Sequence, residues 1–464
     1  MDDTDTLIAL VSSLLPEPHT NDTIIDALVQ SNGDVESAAR YLQSDVGSSK
    51  KRKGVDLETW LKPPSKKAKK PESQTSSSSA HVTPEPVDIS PSKHKKPPSS
   101  SSSKPTDLMA ILRPPPSPRK DPPRFPPMTL STPELVAQHT PCTLHLSVLP
   151  PDLACRLFYT MKDASREWKR NTWWLFDRVV ESPHLTSFFT RRTDGLDNDE
   201  SWHEAAQFWY NGRPNGAPAP FPLEMEEACK IIESVLNDEM RKRKRYKREW
   251  GGTPDGDPLW RANVAASNCY QGGKESVGFH SDQLTYLGPY PTIASLSLGT
   301  RRNFSLREVV PTDQTGMRKA QTFNIPLPHN SLTIMHASCQ ERFKHSIPPQ
   351  NAIDLFRPTF PRTPNGTAEP SNCRINITFR FYRPDFRPKS IPRCKCGVPM
   401  ALRPDMKNRN EEETDRYWWS CYAGAQNDGK GCKYWKVMNM KGEGRGPCVG
   451  DLNTSRTDEN PEAA

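Results

Sequence analysis

The sequence predicts a multidomain chain. A small α bundle comes first, then a disordered linker, then a sandwich of short strands with flanking helices, and last a small cysteine-rich module. Three observations predict this. Proline accounts for 48 of 464 residues, about twice average usage, so much of the chain is linker. From residue 263 on, short β-type runs follow one another, punctuated by Gly, Pro and Asn. Four of the eleven cysteines fall between 394 and 432, a spacing that serves no nearby pairing.

The totals narrow the class. Net charge is +8, yet residues 1–45 hold nine acidic side chains against one basic, Arg40, so the remainder carries +16. Such asymmetry suits a polyanionic partner for the body and a different partner for the front. There is no apolar run of 18 residues and no apolar signal core after Met1. A soluble, intracellular protein with no membrane partner is expected, its cysteines serving as buried thiols or metal ligands.

Residues 1–45 contain three short helical patterns separated by breakers. Leu7, Leu10, Val11 and Leu14 are ended by Pro16; Ile24, Ile25, Leu28 and Val29 by Asn32-Gly33; Val35, Ala38, Ala39 and Leu42 follow. Apolar residues at i, i+3 and i+4 on three such helices make a small bundle. With Leu15-Pro16 where that family has Phe-Pro, the segment resembles a CUE/UBA-type module, which implies ubiquitin as partner. A generic interaction bundle would show the same pattern.

Residues 46–130 are Ser-, Pro- and Lys-rich and predict a disordered linker. Lys50-Lys51-Arg52-Lys53 and Lys66-Lys67-Ala68-Lys69-Lys70 resemble a nuclear-import signal, so a nuclear location is expected; solvated charge is the alternative. Asp56-Leu57-x-x-Trp60-Leu61-Lys62-Pro63-Pro64 recurs as Asp107-Leu108-x-x-Ile111-Leu112-Arg113-Pro114-Pro115, a docking peptide or a coincidence of composition.

The main domain is assigned to 131–388. Helices are expected from Pro150-Pro151 through Met161 and over 222–236. Between them lie Trp173, Trp174, Phe188, Phe189 and Phe208-Trp209-Tyr210, interleaved with Arg170, Arg178, Arg191 and Arg192. Most belong in a core, but aromatics beside arginines also suit base stacking, and Tyr210 is the chosen contact. The run Arg241–Arg248 is expected to extend the second helix, either as a phosphate track or as a solvated face. Strands are expected at 263–268, 276–280, 292–298, 303–309, 321–325, 331–335, 343–347 and 374–382, a pattern suited to a β-sandwich or jelly roll.

His280-Ser281-Asp282 places an imidazole and a carboxylate two residues apart, on one side of a strand. With His345 they would form the two-His, one-carboxylate face of a non-haem Fe(II) oxygenase. Downstream, Arg374-x-Asn376-x-Thr378-Phe379-Arg380 puts two guanidiniums and an amide on one strand face, a set able to hold a dicarboxylate. Asn268-x-Tyr270, Gly273 and Gly278 precede His280. Together these motifs resemble an AlkB-type 2-oxoglutarate/Fe(II) dioxygenase, which implies a double-stranded β-helix. The resemblance implies His280, Asp282 and His345 as catalytic iron ligands, and Asn268, Tyr270, Arg374, Asn376 and Arg380 as the 2-oxoglutarate site. Dioxygen is then the second co-substrate, and oxidative demethylation of N-alkylated bases in DNA the activity. RNA or protein substrates of the same chemistry, or a non-catalytic ubiquitin/DNA adaptor, are the alternatives. Where many AlkB repair enzymes carry an acidic base contact, this chain has Leu284, so Gln283 or Tyr286 is expected to supply the polar contact. A Pro-rich insertion at 348–370 is either lid or loop.

Residues 389–440 carry Cys394-x-Cys396-Gly397, Cys421 and Cys432, four thiolates suited to tetrahedral zinc. With Arg416, Trp418, Trp419 and Cys432-Lys433-Tyr434-Trp435, the segment resembles a GRF zinc finger, although Asp415 stands where that name has Gly and Trp418 where it has Phe. That implies single-stranded nucleic acid, contacted through Arg416, Trp418 and Trp435. Residues 441–464 are expected to be a disordered tail, Cys448 has no assigned role, and the protein is expected to be a monomer.

Overall fold

The computed structural model describes residues 125–452, apart from 176–177, 192–216, 253–259, 364, 410–415 and 426, together with scattered residues between 11 and 46. The linker motifs, Phe208-Trp209-Tyr210, Arg192 and Asp415 lie outside the described residues. The chain divides into two units, Met1–Lys120 and Asp121–Ala464.

In the first unit, helix α1 spans Val35–Val46. It buries Val35, Ala38, Ala39 and Leu42, and Val11, Ile24 and Leu28 are buried too. Every one of these was expected on an inner face. Gln43 Nε2 reaches back to donate to the Leu14 carbonyl at 2.8 Å.

The second unit begins with β1 (Met128–Thr129) and α2 (Pro133–His139), capped by Thr132, whose hydroxyl accepts from the Leu135 N–H. Then come β2 (Cys142–Leu146), α3 (Pro151–Ala164), the hairpin β3 (Lys169–Leu175) and β4 (Arg178–Thr190), β5 (Ala219–Pro220) and α4 (Leu223–Arg241). Proline opens α3 because the first turn needs no N–H from that position. The strands β6 (Val264–Gln271), β7 (Val277–His280), β8 (Ile293–Gly299), β9 (Arg302–Glu308), β10 (Thr322–Leu327), β11 (Ser331–Met335), β12 (Phe343–Ile347) and β13 (Cys373–Arg380) follow, within two residues of their expected bounds except that β6 runs three residues further. β14 (Ala401–Pro404), β15 (Tyr417–Ser420) and β16 (Trp435–Val437) end the series.

Among the described residues the strands form two packed sheets and a small third one. The minor sheet has order β1-β10-β9-β12-β7, and the major sheet β2-β11-β8-β13-β6-β4-β3 with β5 beside β4. Period-2 alternation sorts the major sheet into two faces. Cys373, Ile375, Ile377 and Phe379 of β13 join Ala294, Leu296 and Leu298 of β8 in a core shared with Leu157 and Phe158 of α3 and Ile232 of α4. The alternate residues, Arg374, Asn376, Thr378 and Arg380, therefore face the minor sheet. Apolar Phe304, Leu306 and Ile325 pack there against Val264, Ala266 and Tyr270. One sheet thus covers its back with helices and keeps polar residues on its front.

Three expectations are corrected. Helix α4 stops at Arg241, so the basic run 241–248 does not extend it. Instead, Arg243 and Arg245 fold onto the buried Glu249 at 2.7 and 2.6 Å, satisfying a carboxylate that would otherwise be stranded. The small sheet β14-β15-β16 is no separate bead: Leu402, Tyr417, Trp419 and Met438 belong to the same apolar cluster as Tyr290 and Phe386. Nor is 441–452 a loose tail. Arg445 is buried over the Phe386 ring, 4.4 Å from its centroid, and the Val449 N–H donates to the Glu249 carbonyl at 3.0 Å.

Candidate active site

The inter-sheet space brings His280, Asp282 and His345 together. One ligand atom from each lies within 4.8 Å of the others. His280 and His345 are directly opposed on β7 and β12, with ring centroids 4.3 Å apart. Asp282 lies beyond the end of β7, so strand alternation is not what aims it. It is held instead by its backbone N–H, which donates to Gln340 Oε1 at 2.8 Å, and by Arg380, whose Nε and Nη2 reach Oδ2 at 2.9 and 2.8 Å. Oδ1 faces His345 Nε2 at 3.6 Å.

Protonation states suit a metal. Burial works to raise the Asp282 pKa, but Arg380 and the two imidazoles outweigh it and hold the carboxyl below its ordinary range. Burial, reinforced by His280, pushes His345 down to about 3, so its imidazole is neutral, the ligating form. His280 Nδ1 lies 2.8 Å from the Gly278 carbonyl; it must carry the proton there, which leaves Nε2 free to ligate. The donor set fits Fe(II).

The expected co-substrate residues lie on β6 and β13 of the major sheet, across the same inter-sheet space. Arg374 is fully buried; its Nη2 donates to Ser297 Oγ at 2.8 Å and to Asn376 Oδ1 at 2.7 Å. Its Nε and Nη1 have no hydrogen-bond partner. Burial lowers its pKa to about 10, so it stays charged at neutral pH. A buried, half-satisfied cation is costly and calls for an anion. Tyr270 lies beside it, the guanidinium carbon 5.3 Å from the ring centroid, and His184 stacks on the same ring at 5.0 Å. Asn376 Nδ2 donates to Thr378 Oγ1, Ser295 Oγ donates to Asn376 Oδ1, and Thr186 Oγ1 donates to Asn268 Oδ1. In register, Thr186, Asn268, Asn376 and Ser297 form one row across four strands. Arg380 departs from expectation in its partner, for it grips the metal carboxylate. Gly299, opposite Arg374, has φ +87° and no room for a side chain: a Cβ would lie 2.3 Å from the Cys373 carbonyl.

The substrate-side expectations divide. Gln283 is exposed next to Asp282. Tyr286 is buried against Tyr382 with centroids 5.4 Å apart, and Leu284 is fully buried, which leaves Gln283 as the exposed polar side chain of that loop. Tyr210 lies outside the described residues. Arg191 is a structural residue, bound to Glu226 and Glu233 at 2.8 and 2.6 Å. The described residues of the insertion at 348–370 are tied to α3: Arg362 forks Asp163 at 2.7 and 3.1 Å, and Tyr159 donates to the Phe360 carbonyl at 2.9 Å. It is a clamped loop.

At the other end, Cys394, Cys396, Cys421 and Cys432 bring their sulfurs within 4.8 Å of one another. All eleven cysteines are free thiols. A backbone N–H at Tyr434 leads the effects that draw Cys432 down to about 6. The outward face of β14-β15-β16 carries Arg403, Trp418 and Val437 in register, with Trp435 64% exposed. Arg416 is also exposed. Lys436 pairs with Glu443 at 3.3 Å.

Sequence reasoning missed Ser295, Ser297, Gln340 and Glu341. The alternation Ser295-Leu296-Ser297-Leu298 was a usable signal for the first two. The Cys339–Arg342 turn offers none, because its role comes from packing.

Residues 165–380 match the 2OG-Fe(II) oxygenase superfamily. The mouse alpha-ketoglutarate-dependent dioxygenase alkB homolog 3 is 34% identical over 132 residues, 28% of this chain and 40% of that protein. Human DNA oxidative demethylase ALKBH2 is 30% identical over 118 residues, covering 25% and 39%. This chain therefore spans about two-fifths of the length of these relatives. A solved structure of OsALKBH1 aligns over 52% of this chain and 97% of its own at 18% identity, with a TM-score of 0.33. The family match and the relatives support an AlkB-like 2OG-Fe(II) oxygenase domain in this stretch.

Proposed function

We propose that the protein is an Fe(II)- and 2-oxoglutarate-dependent dioxygenase that oxidatively demethylates N-alkylated bases in nucleic acid, DNA foremost. The observation that carries this is the pairing, across one inter-sheet space, of the His280/Asp282/His345 cluster with the half-satisfied guanidinium of Arg374 on the facing sheet. The relatives' own names, dioxygenase and DNA oxidative demethylase, agree with it.

His280, Asp282 and His345 would hold the iron. Arg374, with Tyr270, Asn268 and Asn376 around it, would bind the far carboxylate of 2-oxoglutarate. When bound, iron with 2-oxoglutarate and dioxygen supplies hydroxylation of the N-methyl carbon, with succinate and carbon dioxide as by-products; the hydroxymethyl base then loses formaldehyde. The chain's own contribution is preorganisation. Arg380 occupies one oxygen of Asp282 and leaves the other for the metal. Gly278, with open space where a Cβ would stand, leaves the approach to His280 clear. Gln283 is the exposed polar group beside it.

The outlying parts are assigned on the same footing. The Cys394/Cys396/Cys421/Cys432 cluster would take zinc, an all-thiolate tetrahedral set, and its outer face would stack single-stranded bases on Trp418 and Trp435, with Arg416 on phosphate. Residues 1–45 would bind ubiquitin, and the linker's basic clusters would direct the protein to the nucleus.

Formaldehyde release from purified protein across methylated single- and double-stranded DNA, RNA and histone peptides tests the reading. We expect release from the DNA oligonucleotides, dependent on 2-oxoglutarate, and none from His280→Ala. Release from histone peptides alone would refute the nucleic-acid assignment.

A further inference from the structure

We propose that the cysteine-ligated sheet is a positioning element of the iron site, acting through Gln340 and Glu341 on the loop that carries Asp282. This rests on the reading of His280, Asp282 and His345 as the iron ligands.

Three of the hydrogen bonds that hold the loop from Asp282 to Tyr290 run to the Cys339–Arg342 turn or to the small sheet. The Asp282 N–H donates to Gln340 Oε1 at 2.8 Å. The Thr285 hydroxyl accepts from the Leu402 N–H of β14 at 3.2 Å. The Tyr290 N–H donates to Glu341 Oε1 at 2.8 Å, and that same oxygen accepts from the Tyr417 hydroxyl of β15 at 3.2 Å. Leu402 and Tyr417 thus bring the sheet directly into two of the three. The remaining tie comes from the neighbour of Glu341 in one short turn, Cys339–Arg342, entered through Ser338 at φ +79°. Glu341 and Gln340 are both buried, at 1% and 0% exposure.

The cysteines fix the sheet that makes these contacts. Cys421 directly follows β15 and its N–H donates to the Tyr434 carbonyl at 2.8 Å. Cys394 precedes β14 and Cys432 precedes β16. Tyr417 and Trp419 turn inward to the oxygenase while Trp418 and Trp435 turn out. One sheet therefore has two jobs on two faces: the outer one meets solvent, and the inner one sets the position of a metal carboxylate whose own side chain is already held by Arg380. Groups that orient metal ligands from behind commonly change metal affinity by about 10- to 100-fold when removed.

The test uses the full-length protein with zinc bound and reads Mn(II) affinity by electron paramagnetic resonance. Mn(II) suits carboxylate and imidazole ligands and disfavours thiolates. Gln340→Met keeps volume and removes the acceptor; we expect its Kd for Mn(II) to rise about tenfold. Tyr417→Phe keeps the ring and removes one hydrogen bond, and should raise Kd about threefold to fivefold. Glu341→Ala should weaken Mn(II) at least as much. Glu341→Gln, whose amide oxygen still accepts from Tyr290 and Tyr417, should stay within about twofold of wild type. A residue that merely supports the fold would lower the melting temperature without this order of metal affinities. Unchanged Kd in Gln340→Met and Tyr417→Phe, with binding abolished in His280→Ala, overturns the link alone. Undiminished Mn(II) binding in His280→Ala overturns the iron site, and the link with it.

Discussion

Arg374 concentrates the chemistry of the site into one side chain. It is fully buried, charged, and lacks partners on Nε and Nη1, so without an anion it destabilises the fold. Replacing such a cation with an apolar side chain of similar length is often neutral or stabilising by about 1–4 kcal/mol. Arg374→Met should therefore melt at or above the wild-type temperature, yet lose the stabilisation that 2-oxoglutarate gives. A ligand at 100 times its Kd stabilises the wild type by about 2.7 kcal/mol, a rise of several degrees that thermal melts with and without 2-oxoglutarate resolve. A variant that melts lower than wild type and still responds to 2-oxoglutarate would show that this guanidinium is structural. Arg374 was legible in the sequence through its spacing from Asn376 and Arg380. The partner of Arg380 was not, because strand alternation says which face a residue takes and nothing about which carboxylate it meets there.

At the scale of elements, period-2 alternation carried most of the foresight. The eight strands from 264 to 380 lie close to where the hydrophobic pattern put them, since all but β7 bury one or both faces and a one-residue slip of β13 would turn Ile375 or Ile377 into the site. Elements set by tertiary contact were less legible. The basic run after α4 reads as an exposed helix by composition, but Glu249 captures Arg243 and Arg245. The small sheet reads as an independent finger by its cysteines, while its inner aromatics belong to the oxygenase core. Its two faces make a prediction. Trp435 is 64% exposed and supports no packing, so Trp435→Ala should leave the melting temperature unchanged. Base–aromatic stacking contributes about 1–3 kcal/mol per base, so affinity for a single-stranded oligonucleotide should fall about 5- to 100-fold, as fluorescence anisotropy would show. Equal affinity would remove the outer face from nucleic-acid binding and leave the sheet its inner role.

For the whole second unit, buried titratable groups set how stability responds to pH, and they pull in opposite directions. His184, His329 and His336 are pushed down to about 4, chiefly by burial. They must stay neutral to remain folded, so their contribution is complete above an unfolded pKa of about 6.5 and is lost as pH falls toward 4. Glu341 runs the other way. Burial raises it to about 7, against the backbone N–H of Tyr290 and the Tyr417 hydroxyl. The native state then holds a proton that the unfolded chain has released, so ionising Glu341 costs stability above pH 7 and that cost is relieved as pH falls toward 4.5. For so deeply buried a carboxyl the cost is on the order of 3 kcal/mol. Glu341→Gln removes the charge and keeps the acceptor. Its stability advantage over wild type should be largest at pH 8, shrink through pH 7, and vanish by about pH 5. With that relief absent, the variant should also lose stability more steeply on acidification, because the buried histidines then act without it. Guanidinium denaturation of both proteins at pH 8, 6.5 and 5 measures this. A stability difference that does not change with pH would mean that Glu341 is ionised in the folded protein, and that the hydrogen bonds from Tyr290 and Tyr417 outweigh its burial.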